Sequence, residues 1–317
     1  MRRREFLAAV GTVLSASTRR LPANKNVKWA LSLALWSQFK PVPITSILDV
    51  MQDTGFSGVR LIANPIFSKV WQTSPAQLEA ELAKRKLHAA AVVYSGPLHV
   101  PGERAKVLEG AKASLEFLRG LGGKHLVLFS PGRLTKPGDN PKAAFHEFCE
   151  RANQIGELAG TMGMTVGVHN HLDQMVEQSR EVDRFLAKTD PKLVGFTPDT
   201  AHLHLAGINA AECLEKHKSR LRAVLDYKDA RWTAPTADFT TENGKVYAKD
   251  SRRARFLNSI YDLGDGEIDF VACHQVLKSV HYKGWICVDL DTARQGPRKS
   301  YERCGAYVVE KIEPVYL

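Results

Sequence analysis

From residue 27 onward the sequence repeats one pattern eight times: a short apolar run, a polar loop and an amphipathic stretch. The apolar runs are often β-branched and are continuous rather than alternating, which is typical of strands buried on both faces of a parallel sheet. Eight strand–helix alternations favour a closed parallel barrel, a (β/α)8 TIM barrel, over an open doubly wound sheet. The predicted strands are Trp29–Leu35, Gly58–Ile62, His88–Tyr94, His125–Phe129, Thr165–Val168, Leu193–Phe196, Leu221–Leu225 and Trp285–Leu290.

The amphipathic stretches predict helices, and several of these end at a glycine. Gly55, Gly122 and Gly163 stand where a helix commonly ends in a left-handed residue. The sequence has no Gly-x-Gly-x-x-Gly pattern after the first strand and no phosphate-binding P-loop pattern, which disfavours a nucleotide-binding fold. The predicted helices are Ile44–Asp53, Pro75–Arg85, Arg104–Leu121, Ala143–Met162, Gln178–Lys188, Ala210–Lys218 and Phe270–Val280.

One barrel domain, residues 24–317, accounts for the chain after its first segment. A composition of 44% hydrophobic and 25% charged residues is ordinary for a globular protein, and barrels of this length are single domains. Residues 230–269 break the repeat and form the longest connection, between strand seven and the helix that follows it. We expect this insertion to be a lid over the active face or an arm of a homo-oligomer; a tolerated surface insertion is the alternative.

The first segment, residues 1–23, has the pattern of an export signal. Three arginines precede an apolar run from Phe6 to Leu14, and Arg3-Arg4-Glu5-Phe6-Leu7 resembles the core of a bacterial twin-arginine signal. The apolar run is too short to span a bilayer. We therefore predict a periplasmic protein that folds before export, with no stable membrane insertion. An amphipathic first helix and an uncleaved anchor are the alternatives.

Charge and cysteine content exclude some classes of protein. The formal net charge is +10, of which the first twenty residues contribute +4, and the densest basic cluster elsewhere is Arg252, Arg253 and Arg255. A mild basic excess without a stripe of basic and aromatic residues favours a solvated surface over a nucleic-acid-binding face. The five cysteines are widely spaced, so they predict neither a disulfide framework nor a zinc ribbon, and we expect them in the core.

Polar residues follow the last four predicted strands, where a parallel barrel carries its functional side chains. Carboxylates and imidazoles that converge from separate strands suit a divalent cation with open positions for substrate; Mn, Co, Zn and Mg are all compatible. Such an ion polarises a carbonyl group and eases removal of the neighbouring proton, which His171 or a carboxylate can accept. The runs are His169-Asn170-His171, Asp199-Thr200-Ala201-His202, Asp226-Tyr227-Lys228-Asp229 and Asp289-Leu290-Asp291.

These runs resemble the xylose-isomerase-like barrel family of sugar isomerases, epimerases and inosose dehydratases, a fold shared with endonuclease IV. The matching stretches occur in family order over most of residues 27–291, and the pair Asp-Thr-x-His with Gly-Trp-Ile…Asp is the most specific. They are Val168-His-Asn-His, Pro198-Asp-Thr-Ala-His with Ala206-Gly207, Tyr227-Lys-Asp, Gly264-Asp-Gly-Glu-Ile-Asp-Phe and Gly284-Trp-Ile-Cys-Val-Asp-Leu-Asp.

The resemblance implies one divalent metal ion held by His169, Asp199, Asp226 and Asp289, with His202 near the substrate. Three positions depart from the family pattern. In the family, strand seven usually ends in a His ligand, where this chain has Asp226. Strand eight usually ends in Glu, where this chain has Asp289, and strand five often ends in Glu, where it has His169. The departures leave two readings open: a metal site with altered geometry, or a site that has lost high-affinity binding.

Further residues near strand ends are candidates for catalysis or substrate binding. Besides His171 and Asp289, Lys228 is a candidate acid or electrostatic stabiliser, with a simple ion pair to Asp229 as the alternative. Trp36 and Trp285 are candidates for stacking on a sugar ring, although core packing explains them equally well. The remaining candidates for the pocket are Arg60, Tyr94 and Arg133.

The leading functional hypothesis is a metal-dependent sugar isomerase or epimerase that removes a proton α to a carbonyl of a small-molecule keto-sugar or keto-polyol. A lyase or dehydratase acting on a keto-sugar, keto-glycoside or inosose at the same site is the alternative, followed by a non-catalytic sugar-binding barrel. DNA repair of the endonuclease IV type is disfavoured, since strands two and three deliver no histidine, and we expect no nucleic-acid partner.

Overall fold

The computed structural model describes residues 20–22, 24, 26–63 and 66–317. Within them, eight parallel strands alternate with helices, as the sequence predicts. The barrel strands are β1 (Val27–Ser32), β2 (Gly58–Ile62), β3 (His88–Tyr94), β4 (His125–Phe129), β5 (Thr165–His169), β6 (Val194–Thr197), β7 (Val224–Tyr227) and β8 (Gly284–Val288). The helices are α1 (Ile44–Asp53), α2 (Ile66–Trp71), α3 (Pro75–Lys84), α4 (Arg104–Gly120), α5 (Pro141–Thr161), α6 (Ser179–Lys188), α7 (Thr200–Leu205), α8 (Ala210–Lys216), α9 (Arg252–Asn258), α10 (Phe270–Ser279) and α11 (Pro297–Tyr307).

The strands form one sheet that closes almost completely into a barrel. Each of β1 to β5 pairs in parallel with the next strand, and β8 lies between β1 and β7. β6 and β7 are joined by two isolated bridges, Phe196 with Leu221 and Asp199 with Asp226. The predicted barrel is therefore confirmed, and its closing seam holds two of the predicted metal ligands side by side.

Five predicted strands have somewhat different ends in the structure, and the largest differences are in β1 and β7. β1 was predicted to reach Leu35 but ends at Ser32, because Ser32 Oγ accepts the amide of Ala34 (3.0 Å) and the chain turns into a 3-10 helix, Ala34–Gln38. β7 lies two to three residues later than predicted, so Asp226 is inside the strand rather than after it. Arg60 of β2 forms an ion pair with this buried carboxylate at 3.0 Å and offsets part of the cost of burial.

The insertion at residues 230–269 is folded and crosses the barrel mouth. It contains helix α9 and two short antiparallel pairs, Phe239–Thr240 with Val246–Tyr247 and Asp229–Ala230 with Ile260–Tyr261. Asn243 at its tip donates its side-chain amide to Ser37 O (2.8 Å) and its backbone amide to Gln38 O (2.9 Å), beyond the end of β1. Of the predicted alternatives, these contacts favour a lid.

The remaining sequence predictions concern the core and the chain's first segment. All five cysteines are buried and free. Most of the predicted export signal falls outside the described residues, but Leu21 donates its amide to Gly55 O (2.9 Å) and so touches the barrel. No helix in the described part of the chain is long and apolar enough to cross a bilayer.

Candidate active site

Carboxylates from three neighbouring strands converge at the C-terminal end of the barrel, where the sequence predicts them. Asp199 follows β6, Asp226 lies in β7 and Asp289 follows β8. All three are buried, and each offers an oxygen within 4.8 Å of the others. The barrel therefore brings the predicted acidic ligands into one cluster, which we call the carboxylate cluster.

Arg60 of β2 enters the carboxylate cluster from the opposite wall of the barrel. Its Nη1 donates to Asp226 Oδ2 (3.0 Å), and its Nη2 contacts Asp289 and donates to Ser32 Oγ (3.0 Å). The side chain is only 4% exposed. The sequence predicts Arg60 as a pocket residue near a strand end, and it does line the inner cavity. Its position as a cationic bridge between two predicted metal ligands is a finding of the structure.

Lys228 supplies a second buried cation. Its Nζ lies 3.2 Å from Asp199, 3.0 Å from Asp289 and 2.7 Å from Asp291. The alternative of a simple pair with Asp229 is therefore wrong. Asp229 instead accepts backbone amides from the end of the insertion, because the residue after Lys228 faces the other side of the chain.

Two cations do not fully balance the buried acidic groups. Burial raises the pKa of Asp199 to about 6 and that of Asp226 to about 7, although Lys228 and Arg60 oppose the change. For Asp289 burial acts in the same direction, but its contacts with Arg60 and Lys228 outweigh burial and lower the pKa. Burial thus disfavours the ionised form of Asp199 and Asp226 even beside two cations, and a further cation would stabilise that form.

His169 completes the wall of the cluster at the end of β5. Its Nδ1 lies 3.0 Å from Asp226 Oδ2, and this contact assigns the ring proton to Nδ1 and leaves a lone pair on Nε2. Nε2 lies 4.0 Å from Asp199 Oδ2. Two ligands that each sit about 2.1 Å from one ion are at most about 4.2 Å apart, so a shared cation fits between these two atoms.

His171 and His202 form a pair of rings beside the cluster, with centroids 3.8 Å apart. His171 Nδ1 lies 2.6 Å from the carbonyl oxygen of Leu172, to which it donates, so that Nε2 is its basic nitrogen. His202 stacks on Phe256 with ring centroids 5.1 Å apart, and its Nε2 is buried without a hydrogen-bond partner. Burial lowers the pKa of both histidines, to about 4 for His171, so both rings are neutral at pH 7.

The donor atoms of the site fit a divalent metal ion. Asp226 Oδ1 is buried and has no hydrogen-bond partner, and a lone pair is free on His169 Nε2. Two overlapping groups have the required spacing, His169–Asp199–His202 and Asp199–Asp226–Asp289. A mixed set of carboxylate and imidazole ligands suits Mn, Co, Zn or Mg. The metal ligands predicted from the sequence are thus brought together, with Arg60 and Lys228 already bound to some of the same carboxylates.

Two cavities adjoin this cluster and meet at His171. The inner cavity, of about 160 Å³, opens onto Arg60, His169, Lys228 and Asp289. The outer cavity, of about 590 Å³, lies under the insertion. His171 lines both cavities, which makes it the boundary between the metal-binding residues and the space beneath the lid.

Three predicted substrate-binding residues do not line the inner cavity. Tyr94 points outward and donates its hydroxyl to Val107 O (2.9 Å), because its neighbour Val93 takes the inward position. Trp36 packs against Phe39. Arg133 binds Glu177 (3.1 Å) and Glu181 (2.6 Å), at a separate cavity of about 780 Å³.

Trp285 is also away from the site. It is the second residue of β8, pairs with Val224 at the start of β7 and packs over Gly58, so it lies at the N-terminal end of the barrel. Stacking on a sugar ring in this active site is therefore wrong for Trp285, and the packing alternative is confirmed.

Several residues that line the cavities are not predicted from the sequence. Ser32 and Phe129 are the last residues of β1 and β4, so extending the strand-end rule to the early strands finds them. Trp232 and Phe256 reach the outer cavity from the insertion; the sequence places the insertion over the active face but does not indicate which of its side chains face inward.

The fold and the carboxylate cluster together define a (β/α)8 barrel with a polar site at the C-terminal ends of its strands. The sequence model of the xylose isomerase-like TIM barrel family matches residues 48–305, and the chain belongs to that family.

Known proteins of this family narrow the class of reaction. An inosose dehydratase from Lactiplantibacillus plantarum is 26% identical over 296 residues, covering 88% of this chain and 92% of the relative. The crystal structure of a probable 3-DHS dehydratase from Bacillus anthracis superposes with a TM-score of 0.70 at 12% identity, covering 90% of this chain and 99% of the other.

Two further structures share the fold. The IolI protein with a bound zinc atom has a TM-score of 0.69 at 13% identity and covers 91% of this chain and 99% of its own. A 3-keto-D-glucoside 4-epimerase from E. coli has a TM-score of 0.66 at 17% identity, and the match covers 90% of this chain and 99% of the epimerase. The chain is thus an enzyme of the sugar isomerase, epimerase and lyase group.

Proposed function

We propose that this enzyme is a metal-dependent lyase that eliminates water, or another oxygen leaving group, from a keto-sugar or keto-cyclitol. The observation that carries the proposal is the position of His171, a neutral imidazole with an unprotonated Nε2, which lines the inner cavity beside two buried cations. The isomerase or epimerase predicted first from the sequence has the same initial step, but the dehydratase relatives favour the lyase that was the alternative.

The proposed reaction begins with loss of the proton α to the carbonyl. His171 Nε2 accepts this proton, and Arg60 and Lys228, which line the same cavity, stabilise the negative charge that develops on the carbonyl oxygen. A divalent ion held by His169, Asp199, Asp226 and Asp289 would polarise that carbonyl.

The second step forms the double bond. The C–O bond at the β carbon breaks, and the leaving oxygen takes the proton from His171, so that water is released and an unsaturated ketone remains. Asp289 and Asp199 position Lys228, whose Nζ lies 3.0 and 3.2 Å from them. One imidazole therefore moves the proton from carbon to oxygen, and no external base is needed.

Turnover of an inosose in D2O tests the proposal. We expect the wild type to release water and to form an absorbing conjugated ketone. The His171→Asn variant should do neither, although it retains the metal. Deuterium incorporation at the α carbon without loss of water supports the epimerase instead. Neither exchange nor elimination, in protein loaded with metal, supports a sugar-binding barrel.

Metal content is a separate test of the same site. Elemental analysis of the purified protein should give about one equivalent of a divalent transition metal, and a His169→Ala plus Asp199→Ala double variant should lose it. A wild type that takes up no Mn, Co or Zn contradicts the metal-dependent mechanism.

We also propose export to the periplasm through the twin-arginine route, on the basis of Arg3-Arg4-Glu5-Phe6-Leu7. An Arg3→Lys plus Arg4→Lys variant should stay in the cytoplasm on cell fractionation while the unaltered chain reaches the periplasm. Equal distribution of the two proteins contradicts the proposal.

A further inference from the structure

The outer cavity, which we call the outer chamber, is a partly open cleft between the insertion and the loops beneath it. Loops after β4, β5 and β6 form its floor, and the insertion forms its roof. At about 590 Å³ it is more than three times the volume of the inner cavity, about 160 Å³. A substrate confined to the inner cavity leaves this larger space unused.

Trp232 of the insertion presents a fixed aromatic ring to this chamber. Its Nε1 donates to Leu205 O (3.2 Å), and the guanidinium of Arg255 lies 4.3 Å from the ring centroid. These contacts hold the ring at its edge and over one face, yet the side chain remains 44% exposed. A large aromatic surface that is held rigid and left exposed is typical of a site where another flat group stacks.

Of the five carboxylate and guanidinium side chains that line the chamber, four are paired within the protein, and the fifth, Arg255, lies against the Trp232 ring. Arg252 forms an ion pair with Asp173, and Arg253 lies 3.3 Å from Asp291. Glu177 is bound by Arg133 at 3.1 Å. Paired charges leave hydrogen-bonding groups around an aromatic ring without a strong net field, which suits a neutral hydroxylated or aromatic ring better than a phosphate or carboxylate.

His171 lies where the two cavities meet. A molecule with one ring in each cavity places the oxygen that joins its rings at this junction. For a glycoside whose carbonyl is two carbons from the anomeric carbon, β-elimination breaks the bond to that same oxygen. The group that carries the proton to the leaving oxygen in the proposed mechanism is thus beside the bond that would break.

We propose that the outer chamber is a subsite for the second ring of a neutral keto-glycoside, which stacks on Trp232 while the keto ring occupies the inner cavity. The inference rests on the proposed lyase function and specifies its substrate class. The α C–H and glycosidic C–O bonds break, a C=C bond forms in the keto ring, and the second ring leaves as an alcohol with the transferred proton.

Binding of unreactive glucosides tests the subsite independently of catalysis. Isothermal titration calorimetry on the metal-loaded protein compares methyl β-D-glucopyranoside, which has one ring, with phenyl β-D-glucopyranoside and methyl β-cellobioside, which have two. We expect the two-ring ligands to bind the wild type about five- to tenfold more tightly, the factor that one stacked ring supplies. Trp232→Ala should lose this gain and still bind the one-ring ligand, and Trp232→Phe should keep most of it.

Trp71→Phe is the matched control, because this partly buried tryptophan of α2 packs against Phe67 and lies outside both cavities. This variant should bind the two-ring ligands more tightly than the one-ring ligand by the same factor as the wild type, a factor that we call the two-ring gain in affinity. A gain with cellobioside alone identifies a sugar as the second ring, and a gain with both ligands identifies a general stacking site. No gain in the wild type, or a gain that survives in Trp232→Ala, overturns the subsite.

Failure of the subsite and failure of the proposed function give different results. A gain that depends on Trp232, in a protein that eliminates neither water nor alcohol, supports the subsite and contradicts the lyase. Efficient elimination from an inosose without a two-ring gain contradicts the subsite and supports the lyase.

Discussion

At the scale of single residues, the most informative side chain is Arg60. Its guanidinium binds Asp226 at 3.0 Å and also contacts Asp289, so an internal cation bridges two carboxylates that a metal ion would use. A buried arginine and a divalent ion that share ligands weaken each other's binding, because like charges at this distance repel by several kcal/mol even at an effective dielectric constant of about 20. Arg60 would therefore limit how tightly the site could hold a metal ion.

Replacing Arg60 with Met, which keeps an unbranched apolar stem and removes the charge, should raise the affinity for Mn²⁺ or Zn²⁺ by about 10- to 100-fold. The metal-free variant should also melt at a lower temperature than the wild type, since its carboxylates lose a partner, and added metal should restore it. Titration calorimetry and thermal melts with and without chelator measure both effects.

Arg85→Met is the control for this prediction. Arg85 is also a buried arginine, paired with Asp49 (2.7 Å) and Glu81 on the outer helices. Its loss should lower stability without changing metal affinity. Weaker metal binding in Arg60→Met would mean that Arg60 positions the carboxylates for the ion rather than competing with it.

At the scale of structural elements, the insertion depends on Asp229. This carboxylate accepts the backbone amides of Gly264 (2.9 Å), Gly266 (3.0 Å) and Ile268 (3.1 Å), and so joins the end of β7 to the end of the insertion. A Cβ on Gly266 would lie 2.3 Å from Asp229 Oδ1, so the close approach requires glycine there. The carboxylate of Asp229 thus anchors the end of the insertion through three hydrogen bonds.

Asp229→Asn should reduce the free energy of unfolding by about 2 kcal/mol, because the amide replaces an acceptor oxygen with a donor that faces backbone N–H groups. Urea denaturation followed by circular dichroism measures the change. Asp250→Asn, an exposed aspartate of the same insertion, should stay within about 0.5 kcal/mol of the wild type. Equal stability of the two variants contradicts the role assigned to Asp229.

At the scale of the whole molecule, a buried histidine makes stability depend on pH. His274 of α10 stacks on Trp29 with ring centroids 5.6 Å apart, and its Nδ1 lies 2.7 Å from the hydroxyl of Tyr316, near the chain's C-terminal end. Burial lowers the pKa of His274 to about 3 from the ordinary 6.5. In the folded protein the ring therefore remains neutral at pH values where it is protonated in the unfolded chain.

Below pH 6.5 the unfolded state binds the extra proton, so stability falls as the pH decreases toward about 3. Between pH 6.5 and 5 this residue alone accounts for up to about 2 kcal/mol. His274→Phe, which preserves stacking on Trp29, should have a correspondingly shallower pH dependence in urea denaturation. Tyr316→Phe should lower stability and keep the wild-type slope; an unchanged slope in His274→Phe contradicts the prediction.

The barrel and its ligands were predictable because the evidence for them is local. Strands such as His88–Tyr94 and His125–Phe129 have the predicted limits, since apolar continuity and flanking loops fix where a buried strand begins and ends. His169, Asp199 and Asp289 meet because parallel strands all deliver their C-terminal residues to one face. These features follow from short stretches of sequence read one at a time.

The tertiary structure alone decided which partners these residues have. Arg60 and Asp226 are 166 positions apart, and only closure of the barrel brings them to 3.0 Å. Whether a strand-end side chain points inward, as Val93 does, or outward, as Tyr94 does, depends on the tilt of the strand in the closed barrel. The course of the insertion over the mouth, with Trp232 above the outer cavity, likewise depends on contacts between distant loops, because no periodic pattern within the insertion fixes its direction.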